Sequence, residues 1–245
     1  MQQKISRSKI DLFTECPRCF WLDLKERIKR PDFPPYTINN AVDYLLKQQF
    51  DTYREAGKPH PIMEKHGLQA VPFRHPDLEK WRHNFTGVQY DDPETGFFVF
   101  GAVDDVWVTP EKHLLVVDYK ATGANQYRIY DSYARQMEIY QWLLRRNGFT
   151  VSPTGYFVFA KVNKGQGFEN QTLPFDLFLE SYTGDDGWVS QALSRARETL
   201  EFEEAPEAGA ECKYCNYVKS VSGKQAGRAA RDVSEKKPRP KNALF

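Results

Sequence analysis

The polar and apolar positions of this chain fall into alternating helical and extended runs. From Ser6 or Ser8, either able to cap a helix, Ile10, Phe13, Phe20 and Leu24 recur at helical spacing to about residue 24. Prolines between Pro31 and Pro35 break the chain, and Thr37 or Asn39 can start a second helix. Its body, Ala41 to Glu55, carries Val42, Leu45, Leu46, Gln49 and Phe50 on one face and stops at Gly57. Lys58 to Lys80 reads as a connection with a weak helix in its second half. Strands are expected at Asn84–Tyr90 and Phe97–Val108, joined by the turn Asp91-Asp-Pro-Glu-Thr-Gly96. A third, at 113–120, follows the short polar turn Thr109–Lys112. Asp131 or Ser132 can cap a helix to about Asn147, with Tyr133, Met137, Tyr140 and Leu144 at helical spacing and Gly148 at its end. Strands at 154–161 and about 171–180, then a helix from about Gly187 to Glu203, complete the pattern, which has no internal repeat. Helix, three strands, helix, strand packs as an open mixed sheet flanked by helices, an α/β architecture.

Composition narrows the class. The 245 residues are 40% hydrophobic and 14% aromatic, enough to bury a core in one domain and too much for a disordered chain. No apolar run reaches 18 residues and Met1-Gln-Gln-Lys-Ile-Ser-Arg7 has no signal-peptide core, so a cytoplasmic location is expected. The net charge of +1 is unevenly spread: residues 223–245 hold seven Lys/Arg and two acids, a net +5 that leaves −4 for the rest. That segment has no periodicity and reads as a disordered basic tail, able to attract phosphates or merely solubilise, beyond a single domain at 1–222.

Candidate chemistry sits on two strands. Gly101-Ala-Val-Asp104-Asp105 and Leu114-Leu-Val-Val-Asp118-Tyr119-Lys120 place acids and an amine on apolar runs, where burial is costly unless they pair or bind a cation. Strand alternation turns Asp118 and Lys120 one way and Tyr119 the other. Asp104 and Asp105, being adjacent, face opposite sides, so one of them alone can join Asp118. Carboxylates of this kind suit Mg²⁺ or Mn²⁺, and a neighbouring lysine can position and help deprotonate a water for attack on a phosphodiester.

Asp104 followed by Asp118-Tyr-Lys120 resembles the signature of the PD-(D/E)XK nuclease superfamily, more closely its RecB-type branch. Gln136-Met-Glu-Ile-Tyr140 is similar to that branch's Gln-x-x-x-Tyr helix motif, and Ser8-Lys-Ile-Asp-Leu-Phe-Thr-Glu-Cys-Pro17 to its entry segment. The family's Gly-x-x-Asp spacing from Gly101 selects Asp104 as the ligand, with Asp105 a solvated or hydrogen-bonded neighbour. The resemblance implies a restriction-endonuclease-like αβββαβ core, with the catalytic strands central and a divalent-metal site on one rim. It implies Asp104 and Asp118 as ligands, Lys120 to orient the attacking water, and the Val117 or Tyr119 carbonyl to complete the coordination. It places Gln136 near that water or the DNA backbone, while Tyr140 also belongs to the apolar flank with Met137 and Leu144. The sequence departs from the family at Asn39-Asn-Ala-Val-Asp43, where a histidine ligand is common; Asp43 can serve Mg²⁺ but lacks the softer imidazole.

All four cysteines lie in two pairs, Cys16-Pro-Arg-Cys19 and Cys212-Lys-Tyr-Cys215. In a cytoplasmic protein such pairs suggest a shared metal, which would tie the two ends of the domain together. On spacing alone, Cys₄ zinc fits at least as well as iron–sulfur. The resemblance favours a [4Fe–4S] cluster, although its members divide the cysteines one and three and this chain divides them two and two. The expected function is a metal-dependent DNA nuclease, an exonuclease acting on single-stranded DNA or DNA ends in recombination, repair or CRISPR-type adaptation. The rival readings are a non-catalytic nucleic-acid-binding or scaffold subunit on the same fold, and a zinc-stapled interaction module.

Overall fold

The computed structural model describes residues 3–32, 34, 36–168 and 171–222, so the expected basic tail lies outside the described residues. In chain order the elements are β1 (Gln3–Ser6), α1 (Arg7–Glu15), α2 (Pro17–Leu24), α3 (Thr37–Ala56), α4 (Pro61–Lys65), β2 (Val71–Pro72) and α5 (Leu78–Arg82). They continue with β3 (Val88–Asp91), β4 (Phe97–Gly101), β5 (Asp105–Val108), β6 (Leu114–Thr122), α6 (Asp131–Arg146), β7 (Thr154–Val162), β8 (Phe175–Thr183) and α7 (Trp188–Glu201). A last helical stretch covers 213–222.

The main sheet is mixed, in the order β2-β5-β6-β7-β8. β6 lies at its centre, antiparallel to β5 and parallel to β7, and α6 makes the crossover that a parallel pair requires. Both faces of β6 are covered. Leu114 and Val116 pack with Met137, Tyr140 and Leu144 of α6, whereas Leu115, Val117 and Tyr119 pack with Val42, Leu46 and Phe50 of α3. This is the α/β architecture expected from the order of runs: a central mixed sheet between helices. Among the described residues, no helix is long and apolar enough to cross a membrane.

Two expected elements are divided. The helix read from residue 6 or 8 to about 24 breaks at Cys16, whose backbone is extended (φ −159°, ψ 101°), and restarts at Pro17. Proline suits the first position of a helix but clashes with the turn before it, which is why the chain bends there. The strand read as Phe97–Val108 is two strands in two sheets: β4 joins β1 and β3, and β5 joins the main sheet. The step between them is fixed from α5. Val103 N–H donates to the Trp81 carbonyl (3.1 Å), and Arg82 Nε donates to the Asp104 carbonyl (3.1 Å). Asp104 therefore stands at the seam of two sheets. The strand expected from Asn84 is β3 and starts at Val88, because residues 83–87 turn on hydrogen bonds back to His83. β1 and β2 have no counterpart in the sequence reading. Each is short and defined by a distant partner, β1 by parallel pairing with β4 and β2 by antiparallel pairing with β5.

His60 gives the α3 side of the core a pH dependence. It is 3% exposed, stacks on Phe50 at 4.2 Å, and its Nδ1 accepts the Ile62 N–H (3.1 Å) at the start of α4. Burial pushes its pKa down from 6.5 to about 4. A histidine depressed in the folded state stabilises the protein fully above its unfolded pKa, and that stability is lost as pH falls through the folded value. Between about pH 7 and pH 4, wild type is expected to lose on the order of 3 kcal/mol more stability than His60→Asn, which can cap the same amide without titrating. Urea unfolding at the two pH values checks this, and equal losses in both proteins would refute it.

Candidate active site

Even-numbered residues of β6 face α6, which brings Asp118 and Lys120 under Gln136 and Tyr140. The Lys120 ammonium pairs with Asp118 Oδ2, lies 4.7 Å from the Tyr133 ring centroid and reaches Gln136 Oε1 at 3.4 Å. Gln136 Nε2 donates to Asp118 Oδ1 (2.8 Å) and to the Tyr140 hydroxyl (3.1 Å). Lysine can only donate and ionised aspartate can only accept, so this arrangement uses the amide in its one consistent orientation. Gln136 and Tyr140 are four apart on one helix face, the spacing that allows both to meet the same strand.

Asp104 approaches from the seam. Its Oδ2 accepts the Tyr119 N–H at 3.0 Å, and its charge acts on the neighbouring carboxyl of Asp118. From α3, Lys47 Nζ donates to Asp104 Oδ1 (3.3 Å) and to Asp43 Oδ2 (2.8 Å). Asp43 thus meets Asp104 through Lys47. Sequence reading missed Lys47, although its position one turn after Asp43 put both on one face. It also missed Arg7, at the start of α1, whose guanidinium lies beside Tyr140. Gly101 makes that close approach possible: a Cβ there would stand 2.8 Å from the Tyr140 ring and 3.2 Å from Arg7 Cβ.

Three carboxylates are crowded together here, with the Lys47 and Lys120 ammonium groups between them. Burial, then the charge of Asp104, pushes Asp118 up to about 7. Burial opposes ionisation of Asp104 as well, but Lys47 and Lys120 outweigh it and hold that group below its ordinary value. Burial, then the charge of Asp104, raises Asp43. Among the described residues, Asp43 Oδ1 is buried without a hydrogen-bond partner, while Asp118 Oδ2 has the Lys120 ammonium as its ion-pair partner. Three clustered carboxylates, one with an orphaned oxygen, are a donor set that fits a hard divalent cation.

Asp105 serves a different purpose. It is fully buried and accepts five donors: Arg54 Nη2 (2.5 Å), Arg82 Nη2 (3.0 Å), Val106 N–H (2.8 Å), Trp107 Nε1 (3.3 Å) and the Tyr119 hydroxyl (2.7 Å). It is the hydrogen-bonded neighbour of Asp104, not a solvated one. The Tyr119 side chain is turned to Asp105, so only its backbone faces the candidate metal site.

A model of the PD-(D/E)XK nuclease superfamily matches residues 38–220, about three quarters of the chain. The chain belongs to the PD-(D/E)XK nuclease superfamily. Membership makes it a nuclease of a metal-dependent class, acting on nucleic acid. The matched span takes in Asp43, Asp104, Asp118, Lys120 and the second cysteine pair, and begins after the first. No curated protein matches the chain. The solved structure of SSO0001 is similar over 88% of this chain and 84% of its own, at 12% identity and a TM-score of 0.41, a likeness too slight to carry an argument.

This PD-(D/E)XK chain also brings its two cysteine pairs together, as the sequence led us to expect. Cys16, Cys19 and Cys212 are buried, Cys215 partly so, and all four sulfurs lie within 4.8 Å of one another. Gly209 packs its backbone so closely on α1 that a Cβ would stand 2.2 Å from the Glu15 carbonyl oxygen. Arg30, unnoticed in the sequence, donates from Nη2 to Cys212 Sγ (3.2 Å) and from Nη1 to Glu15 (2.9 Å), with Tyr214 under its guanidinium at 4.7 Å. Thiolates gathered in this way can hold a metal.

Proposed function

We propose that this nuclease hydrolyses DNA phosphodiesters with Mg²⁺ or Mn²⁺ held by Asp104 and Asp118, with Asp43 and the Tyr119 carbonyl as further ligands. The observation that carries the proposal is the contact of Asp118, Lys120 and Gln136 on one face of β6, with Asp104 brought against Asp118 from the seam. When bound, the cation polarises the scissile phosphate and acidifies the attacking water.

The residues divide the remaining work. Lys120 is kept protonated by Asp118 and Asp104 against the opposing effect of burial, so it orients a water by donating from Nζ. Gln136 fixes the relative position of Lys120 and Asp118 by bonding both, and Tyr140 with Arg7 supports the glutamine from behind. Lys47 neutralises Asp43 and Asp104 while no cation is present and can then turn to a substrate phosphate.

Single-stranded DNA is the favoured substrate because the helices that carry the site also carry exposed aromatic rings. Tyr36, at the N-cap of α3, and Tyr44, next to Asp43 in sequence, are 76% and 61% exposed. Tyr130, 46% exposed, precedes α6 between the Arg128 guanidinium (4.6 Å) and the Tyr133 ring (5.2 Å). Unpaired bases stack on such rings for about 1–3 kcal/mol each, whereas duplex bases are already stacked. Labelled single- and double-stranded DNA incubated with Mg²⁺, Mn²⁺ or EDTA tests this. Faster loss of the single strand with either metal, and none with EDTA, is expected. Binding without cleavage under every condition would overturn the catalytic reading.

A further inference from the structure

We propose that the four cysteines hold one tetrahedral Zn²⁺, not the [4Fe–4S] cluster that the iron–sulfur members of this superfamily suggest. The sulfur separations decide between them. Four thiolates around one ion at Zn–S distances of about 2.3 Å stand about 3.8 Å apart along each edge of the tetrahedron. Here Cys16 and Cys215 Sγ are 3.8 Å apart, Cys19 and Cys212 3.6 Å, and Cys19 and Cys215 3.5 Å. In a [4Fe–4S] cluster each thiolate binds its own iron, and the four sulfurs surround a cube of eight atoms. Four sulfurs that all lie within 4.8 Å of one another, three of the pairs at 3.5–3.8 Å, leave no room for that cube.

The surroundings support a closed, saturated site. The Cys16 sulfur accepts the Cys19 N–H (3.5 Å) and the Gly209 N–H (3.3 Å), and the Cys212 sulfur accepts Arg30. These donors offset the double negative charge of a four-thiolate zinc site. Four protein ligands leave no open position, so the ion is structural. Gly209 packs its backbone against Glu15 and Cys16, which sets the segment leading to the second pair beside the first. The arrangement also matches the pairing of the ligands: Cys16 and Cys19 straddle the first turn of α2, and Cys212 and Cys215 enter the helical stretch at 213–222.

The full chain, expressed in medium holding both iron and zinc and purified without oxygen, should contain about one zinc per chain, no acid-labile sulfide and no visible absorption. Cys212→Ser should lose the zinc, and Asp118→Asn should keep it, which separates this ion from any cation at the nuclease site. Iron with equimolar labile sulfide would overturn the proposal. So would a single iron without sulfide, wild type devoid of metal, or zinc that leaves with Asp118→Asn and stays with Cys212→Ser. Metal content is read on wild type, so the answer stands even if Cys212→Ser fails to fold and whether or not DNA is cleaved.

Discussion

Asp118→Asn and Lys120→Ala each lower DNA cleavage by on the order of 10³-fold, and Asp118→Asn does so with no loss of stability. The activity loss follows from the proposed roles. Asparagine keeps the shape of Asp118 but gives up its charge, and alanine at 120 removes the amine that orients the water. The stability expectation follows from burial. A carboxylate raised to about 7 is one that the fold holds against its solvation and against Asp104, so a neutral isostere relieves that opposition. Gln136 can still bond the asparagine oxygen. Cleavage rate at saturating metal, set beside thermal unfolding of the same preparation, is the measurement. Wild-type cleavage by both variants would place the chemistry elsewhere, and a lowered melting point for Asp118→Asn would make the residue structural.

The neighbouring aspartate should behave in the opposite way. Asp105→Ala leaves the Arg54 and Arg82 guanidiniums, the Trp107 indole and the Tyr119 hydroxyl facing an uncharged gap. Removing one partner of a buried ion pair costs about 3–5 kcal/mol, a large share of the 5–15 kcal/mol typical of a domain. Asp51 softens the effect but does not cancel it, because it already binds Arg82 through both oxygens (2.9 and 2.8 Å) and Arg54 through one (3.0 Å). The midpoint of urea unfolding should fall sharply for Asp105→Ala and little for Asp104→Ala. If the two fell equally, the network around Asp105 would not be what holds this seam.

These two aspartates also show what was legible in the sequence. Alternation along β6 and four-residue spacing on α6 are local rules, and they put Asp118 and Lys120 on one face and Gln136 and Tyr140 on another before any contact is known. Distinguishing Asp104 from Asp105 needed the family spacing, since both sit on one apolar run. What divides that run is not in it: α5 holds Val103 and Asp104 through Trp81 and Arg82, from a segment that read only as a weak helix. Arg54 and Arg82 likewise became meaningful only once α3 and α5 were packed against β5. The bend at Cys16 was legible through Pro17, whereas β1 and β2 carry too few residues to show a period. The four cysteines could be paired by residue type, but the distances between their sulfurs belong to the folded chain.

Those distances join residues up to 199 positions apart. Closing so long a loop costs about 5 kcal/mol of chain entropy before any contact compensates for it. The meeting of the two pairs therefore belongs late in folding, after the sheets have already drawn α2 and the Gly209 segment side by side. Contacts formed after the rate-limiting barrier leave the speed of folding almost untouched and act on the speed of unfolding. The cysteine cluster is then a latch set on a finished molecule, and its contribution is to how long the native state lasts once made.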